Sequence, residues 1–384
     1  MNRLTTPQGT FDLARFPEHP RDPFRAWDAA DEYLLRQLTD PDTGPVDLSG
    51  TVAVLGDRWG ALATALAAHR PVQIGDSYLG RRATLANLAR NGLDQDAVRL
   101  LSSRDTPPDR IDVLLVRVPK SLAFLEDQLH RIAPAVHADT VVIGTGMVKE
   151  IHTSTLKLFE RIIGPTRTSL AVRKARLVFS TPDPRLPRTP SPYPYRYELP
   201  ADVGPASGRT VVNHAGIFCA DRLDLGTRFF LKHLPTRGGA ARIVDLGCGN
   251  GVLGLSAAIA APDAHITFVD ESYGAVASAE ETFRAGAPDG AKADFLVGDG
   301  LADLAPGSVD LVLNNPPFHS HLATTDATAR TMFTGARTAL RQSGELWVVG
   351  NRHLSYHTHL RRIFGNCTTV AGDPKFVVLR AVKR

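Results

Sequence analysis

Chemistry is most concentrated at Asn315-Pro316-Pro317-Phe318, where an apolar run of strand type, Leu311 to Asn314, stops abruptly. Proline fixes its own φ, has no N–H, and holds the residue before it extended, so Asn315 and the Pro316 carbonyl stand on stiff backbone. Two acceptors then project from one strand end. A planar –NH2 that donates one hydrogen to the Asn315 side-chain oxygen and the other to the Pro316 carbonyl has its lone pair turned in a third direction. Phe318 follows, placed to stack on the attached ring.

A second constellation is Asp245-Leu-Gly247-Cys-Gly249-Asn-Gly251, after a strand-like run and at the opening of a helix. Glycines there let the backbone approach a ligand and take positive φ. The same run also satisfies the dinucleotide pattern through Gly249, Gly251 and Gly254, with Asp270 about 20 residues further on, so NAD has to be weighed against S-adenosylmethionine. Either ligand wants Asp270 for its ribose hydroxyls. Asp245, before the first glycine, suits the amino-acid end of S-adenosylmethionine, and Asp299 in VGDG is placed to meet an adenine. A dinucleotide enzyme has no use for Asn-Pro-Pro-Phe at its fourth strand. S-adenosylmethionine is therefore the expected cofactor, with Asn315 bordering it.

Positioning these residues requires strands alternating with helices. Strands are expected at Val52 to Leu55, Val72 to Ile74, Val113 to Val118 and Val141 to Gly144, and again at Ile243 to Leu246, Ile266 to Asp270, Ala293 to Val297, Leu311 to Asn314, Leu346 to Val349 and Phe376 to Val382. Such spacing implies parallel α/β architecture. A helix over 24–38 carries Trp27, Ala30, Leu34 and Leu38 on one face. Between Pro182 and Pro205 fall eight prolines, which exclude regular helix or central strand. The expected domains are 1–190, a Pro-rich linker 191–208, and 209–384.

The two halves overlay as a repeat. VAVLGDRWG has Val54 where IVDLGCGNG has Asp245, and Arg58 where it has Gly249; counting from the glycines pairs Asp76 with Asp270, and Arg117 to Lys120 with Asn315 to Phe318. A duplicated fold whose N-terminal copy no longer holds a cofactor is the reading this supports.

Totals narrow the rest. A length of 384 residues admits two domains with full cores. No segment approaches the ~18 apolar residues of a membrane span, and the N-terminus lacks a signal-peptide core, so no membrane partner and a cytoplasmic location are expected. Cys219, Cys248 and Cys367 are too scattered for a zinc knuckle, and His353, His357 and His359 lack acidic or cysteine partners, so no metal is expected. Trp347 reads as core. Gly254-Leu-Ser256-Ala-Ala misses the hydrolase elbow by its final glycine, so Ser256 reads as helix packing. From Lys157 to Arg196 there are nine Lys/Arg against two Asp/Glu, a local +7 in a chain of net +4. That suits a polyanion such as nucleic acid.

DLGCGNG, FVDES and NNPPFH together resemble the class I methyltransferases of the ribosomal RNA guanine-N2 group. AWDAADEYLLRQL, IGDSYL, VPKSLA, IHTSTLKLFE, RKARL, NHAGIF, GNRHLSYH, IFGNCTT and KFVVLRAVK extend the resemblance, over nearly the whole chain, to the large-subunit (23S) methyltransferase G family. The resemblance implies two tandem Rossmann-like class I methyltransferase domains, the N-terminal one degenerate and RNA-binding. It implies methyl transfer from S-adenosylmethionine to a guanine N2 amine in 23S ribosomal RNA. Asp245, Gly247 and Gly249 become cofactor-loop positions, Asp270 the ribose acid, Asp299 the adenine neighbour, and Asn315, Pro316, Pro317 and Phe318 the catalytic motif. Arg117, Lys120, Arg173, Lys174, Arg176, His319 and Arg352 are the expected RNA contacts, and a monomer is expected. Other readings are a 16S RNA guanine, an adenine N6, a protein glutamine N5, or a non-catalytic RNA-binding assembly factor.

Overall fold

A computed structural model of the chain describes residues 3–18, 24–235, 239–317 and 322–384, the side chains of 322–326 aside. Contacts divide it into two compact units, Met1–Pro192 and Tyr193–Arg384. Unit 1 opens with a hairpin of β1 (Arg3–Thr6) and β2 (Gly9–Asp12), then α1 (Ala29–Gln37). The Asp28 carboxylate starts α1 by accepting from Ala30 N, which makes the helix shorter than the 24–38 expected; Trp27 packs in the core as predicted. There follow β3 (Val52–Leu55), α2 (Ala61–Ala65), β4 (Val72–Gly75), α3 (Tyr78–Arg90), β5 (Arg99–Ser102), β6 (Ile111–Arg117), α4 (Leu122–Ile132), β7 (Val136–Met147), α5 (Thr153–Ile162), β8 (Thr166–Thr168) and β9 (Ala175–Ser180).

Unit 2 runs β10 (Tyr195–Glu198), β11 (Thr210–Asn213), α6 (Leu225–Leu231), β12 (Arg242–Leu246), α7 (Val252–Ala260), β13 (His265–Asp270), α8 (Tyr273–Gly286), β14 (Lys292–Val297), β15 (Val309–Asn314), α9 (Leu322–Ala339), β16 (Leu340–Asn351), α10 (Tyr356–Phe364), β17 (Thr368–Gly372) and β18 (Phe376–Val382). The expected linker 191–208 needs correction. From Tyr193 on it is part of unit 2: β10 pairs antiparallel with β11, and Leu199, Val203 and Ala206 are buried in that unit's core. Proline density hid these spaced apolar residues.

Each unit holds one seven-stranded sheet, β5-β4-β3-β6-β7-β9-β8 and β14-β13-β12-β15-β16-β18-β17. The two orders are the same permutation. In both, the first five strands are parallel and the last two are joined on by antiparallel pairings. Central strands are apolar on both faces because helices cover both: Ile243, Leu311 and Leu313 pack with Leu255 and Phe268, while Val244, Leu246 and Val312 pack with Phe333 and Leu346.

Register makes the duplication testable residue by residue. Leu55 pairs with Ile74 and Val116 in unit 1; Leu246 pairs with Val269 and Asn314 in unit 2. Arg117 therefore occupies the place of Asn315, as expected. A shared buttress supports the match: Asp112 accepts from Thr51 N at 2.8 Å and Asp310 from Arg242 N at 2.7 Å, each fastening the start of its unit's first sheet strand. One pairing changes. The counterpart of Asp270 is Gly75, not Asp76, since Gly75 follows Ile74 as Asp270 follows Val269; counting along the chain missed the different loop lengths.

Candidate active site

In unit 2, β12 lies between β13 and β15, so the strand order reverses at its carboxyl end and opens a crevice there. The loop leaving β12 takes positive φ at Gly247, Gly249 and Gly251, of 68°, 52° and 78°. Two of these serve different ends. A Cβ on Gly251 would come within 2.8 Å of Ala279 Cα, so that glycine lets α7 start against α8; a Cβ on Gly249 would meet nothing within 4 Å, which is the open side of the loop. Gly249 N donates to Asp270 Oδ2 at 3.0 Å, and Ser272 N to Asp270 Oδ1 at 3.0 Å. The expected ribose acid thus sits across the glycine loop. Asp299 follows β14, half-buried, on the neighbouring strand end.

Asp245 is 1% exposed. Its Oδ2 accepts from Gly254 N at 2.8 Å, while Oδ1 is sealed with no partner among the described residues. Burial, with Asp270 adding to it, pushes this carboxyl up to about 8. A buried acceptor without a donor is costly unless something supplies one. An ammonium group does so, and its charge favours the ionised carboxylate. Together with the open Gly249, Asp270 at the end of β13 and Asp299 after β14, this set of acceptors fits S-adenosylmethionine.

At the end of β15, Asn314 is fully buried and donates to Leu246 O at 2.7 Å, tying the fourth strand to the glycine loop. Asn315 is half-buried. Its Nδ2 donates to Thr227 Oγ1 at 2.9 Å and Asp224 Oδ2 at 3.3 Å, leaving Oδ1 enclosed and without a partner among the described residues. Pro316 is buried and Pro317 exposed. Phe318 and His319, both expected here, lie outside the described residues. Sequence reasoning missed Asp224 and Thr227. Their D-x-x-T spacing signals a helix cap, but nothing in it points to a partner about ninety positions on.

Unit 1 fills the corresponding place with its own side chains. Val54 stands for Asp245, Arg58 for Gly249, Gly75 for Asp270, Arg104 for Asp299 and Arg117 for Asn315. Asp57 caps α2 instead, accepting from Gly60, Ala61 and Ala63 N–H groups at 3.0, 3.1 and 2.9 Å. Arg117 overturns its expected role. Its side chain is 0% exposed, with Nη2 2.6 Å from Asp28, Nε 3.2 Å from Asp31 and Nη1 3.0 Å from Glu150, so it cannot reach RNA. Arg58 joins this cluster through Glu150 at 2.9 Å. Burial pushes Asp31 up to about 7 against the pull of Arg117. For Glu150, Arg117 and Arg58 outweigh burial and hold the carboxyl down at about 2.

The other expected RNA contacts of unit 1 lie along the edge of its sheet where β6 and β7 end and β9 begins. Lys120 is exposed just past β6. Arg173, exposed, pairs with Glu32 at 3.1 Å; Lys174 beside it is exposed, whereas Arg176 is half-buried on β9. In unit 2, Arg352 is exposed and donates to Asp373 O at 3.0 Å. Trp347 packs on the core and donates to Glu345 at 2.7 Å, and Ser256 is buried with its hydroxyl on Val252 O, both as read from the sequence. His357 and His359 sit two apart on α10 and so face different ways. Among the described residues no group of three His, Cys, Asp or Glu could hold a metal, and no helix is long and apolar enough to cross a membrane.

Comparison with known proteins agrees with this two-part layout. The RLMG N-terminal domain model matches residues 1–184 and the methyltransferase small domain model residues 208–380. Ribosomal RNA large subunit methyltransferase G of Streptomyces griseus is 90% identical over 384 residues, covering 100% of both chains. The chain belongs to the ribosomal RNA large subunit methyltransferase G family. A more distant family member, from Stutzerimonas stutzeri, is 48% identical over 381 residues and 99% of each chain. Among solved structures, the T. thermophilus 16S rRNA N2 methyltransferase in complex with AdoMet and guanosine shares the fold, with a TM-score of 0.75 at 22% identity over 100% of this chain and 97% of that one.

Proposed function

We propose that the protein transfers a methyl group from S-adenosylmethionine to the exocyclic N2 amine of a guanine in large-subunit (23S) ribosomal RNA. The observation that carries this reading is the Asn315 amide. Its nitrogen is held by Thr227 and Asp224, so its enclosed oxygen is left to accept from a planar amine. Family membership supplies the ribosomal RNA, and the guanosine in the T. thermophilus complex supports the base.

S-adenosylmethionine, when bound, supplies a methyl group already activated on a sulfonium. Asp245 Oδ1 and the loop at Gly247 and Gly249 would hold its amino-acid end, Asp270 its ribose and Asp299 its adenine. Alignment is then the main task of the protein, and well-oriented groups gain effective molarities of ~10⁵ to 10⁸ M. The guanine amine is a poor nucleophile because its lone pair is delocalised into the ring. Asn315 Oδ1 and the Pro316 carbonyl favour its pyramidal form and stabilise the positive charge that develops on nitrogen. No strong base is demanded, since the charged product amine loses a proton readily.

To be reached, the guanine has to leave its stack, which costs a few kcal/mol and least where the base is unpaired. Lys120, Arg173, Lys174, Arg176 and Arg352 would hold the RNA backbone, with affinity falling as salt rises. A monomer acting in the cytoplasm completes the reading. Tritiated-methyl transfer to 23S and 16S RNA from a strain lacking the enzyme, followed by nuclease mapping, tests it. Label at a 23S guanine is expected; label confined to 16S RNA would move the substrate to the small subunit.

A further inference from the structure

Hydrogen-bond direction around Asn315 carries a consequence for selectivity. A carboxylate has no hydrogen to give, so the Asn315 atom that faces Asp224 has to be the nitrogen. Thr227 Oγ1 lies 3.2 Å from Asp224 Oδ2, and its hydroxyl donates there, leaving its lone pairs for Asn315 Nδ2 at 2.9 Å. All hydrogens therefore run one way, from Asn315 through Thr227 to Asp224. Asp224 is fixed in turn because it caps α6, accepting from Thr227 N at 2.8 Å. A free asparagine offers its oxygen or its nitrogen with nearly equal ease, since the terminal amide torsion is soft. This one cannot.

We propose that Asp224 and Thr227 are positioning residues that set the selectivity of the site, locking the Asn315 amide as an acceptor so that it takes a donating –NH2 and refuses a carbonyl or ring nitrogen. The proposal rests on the amine-methylation reading and names what enforces it. A site committed to one hydrogen-bond polarity rejects the opposite polarity strongly, because its own buried group is then left unpaired.

Asp224→Asn is the discriminating change. Asparagine caps a helix as well as aspartate does, so α6 keeps its start, but residue 224 gains hydrogens and the Asn315 amide becomes free to turn over. Thr227→Val removes the hydroxyl between them, and Thr227→Ser restores it. With full-length protein, S-adenosylmethionine and 23S RNA lacking the modification, Asp224→Asn and Thr227→Val should each lower kcat by at least ~10-fold with KM for S-adenosylmethionine unchanged, and Thr227→Ser should stay near the native rate. In an Asn315→Ala background, Asp224→Asn should cost nothing more. An unchanged kcat, or a loss of the same size in the Asn315→Ala background, overturns the proposal. A separate arm needs no substrate: with ¹⁵N-asparagine labelling, the Asn315 side-chain protons should be protected from exchange in the native protein and lose that protection in Asp224→Asn. Equal protection in both overturns the lock. Failure of RNA methylation by the native protein would instead sink the functional reading.

Discussion

Asn315 and Arg117 occupy one register position in two copies of one sheet, and their surroundings are opposite in kind. In unit 2 the strand end is underfilled. Asp245 Oδ1 and Asn315 Oδ1 are enclosed acceptors without partners among the described residues, and Gly249 leaves open space on its side of the glycine loop. In unit 1 the corresponding place is filled from within, by a buried arginine, three carboxylates and a second arginine. An underfilled strand end leaves a place for a ligand, and one packed with its own side chains does not.

The largest effect expected from breaking this contrast is at Arg117. Arg117→Met leaves the buried Asp31 and Glu150 beside the part-exposed Asp28 with only Arg58 near them, which should cost unit 1 about 3–5 kcal/mol. Urea unfolding, with hydrogen exchange on β6 and β7, measures it; a loss below about 1 kcal/mol would mean that the cluster is not what holds this strand end. Next, Asn315→Ala should bind S-adenosylmethionine by calorimetry yet lose turnover by ~10² to 10³, the scale of deleting one preorganised hydrogen-bonding group. Unchanged turnover would remove the mechanism.

Gly249→Arg makes unit 2 imitate Arg58. Cofactor affinity should fall by roughly 100-fold, about 2.7 kcal/mol, while circular dichroism keeps the native signature. Full affinity in that variant would put the ligand elsewhere. The gentlest contrast is in pH. The Asp245 carboxyl is raised from 3.8 to about 8, so the stability that its protonated form gives the ligand-free fold is complete below the ordinary value and lost as pH rises through about 8. Asp245→Asn should flatten that decline in melting temperature. In the native protein, S-adenosylmethionine affinity should climb over the same interval as the carboxylate forms; an affinity flat in pH would show that Asp245 does not meet the ammonium.

Much of this could be read from residue types. Glycine spacing after an apolar strand, an acid at the second strand end and Asn-Pro-Pro-Phe at the fourth each carry a backbone or hydrogen-bonding reason visible in one dimension. What escaped was set by packing. Arg117 read as a surface cation because nothing along the chain ties it to Asp28, Asp31 and Glu150, which come from α1 and its cap and from the residues after β7. Asp76 read as the counterpart of Asp270 because counting residues ignores strand register. Asp224 and Thr227 could be recognised as a cap, yet their hold on Asn315 spans about ninety residues and exists only once α6 and β15 meet.

The arginine cluster also bears on the history of the chain. Its buried arginine is tolerable only while acids remain around it. Reverting Arg117 to asparagine leaves the buried Asp31 and Glu150 without their main cation, and removing one of those acids first leaves Arg117 buried with less counter-charge. Recovering a cofactor loop would further require glycine at Arg58 and acids at Val54, Gly75 and Arg104, with no benefit until the last arrives. The ion cluster thus works as a ratchet on descent: once it closed, the first half of the gene could be selected for any task except the one it had duplicated.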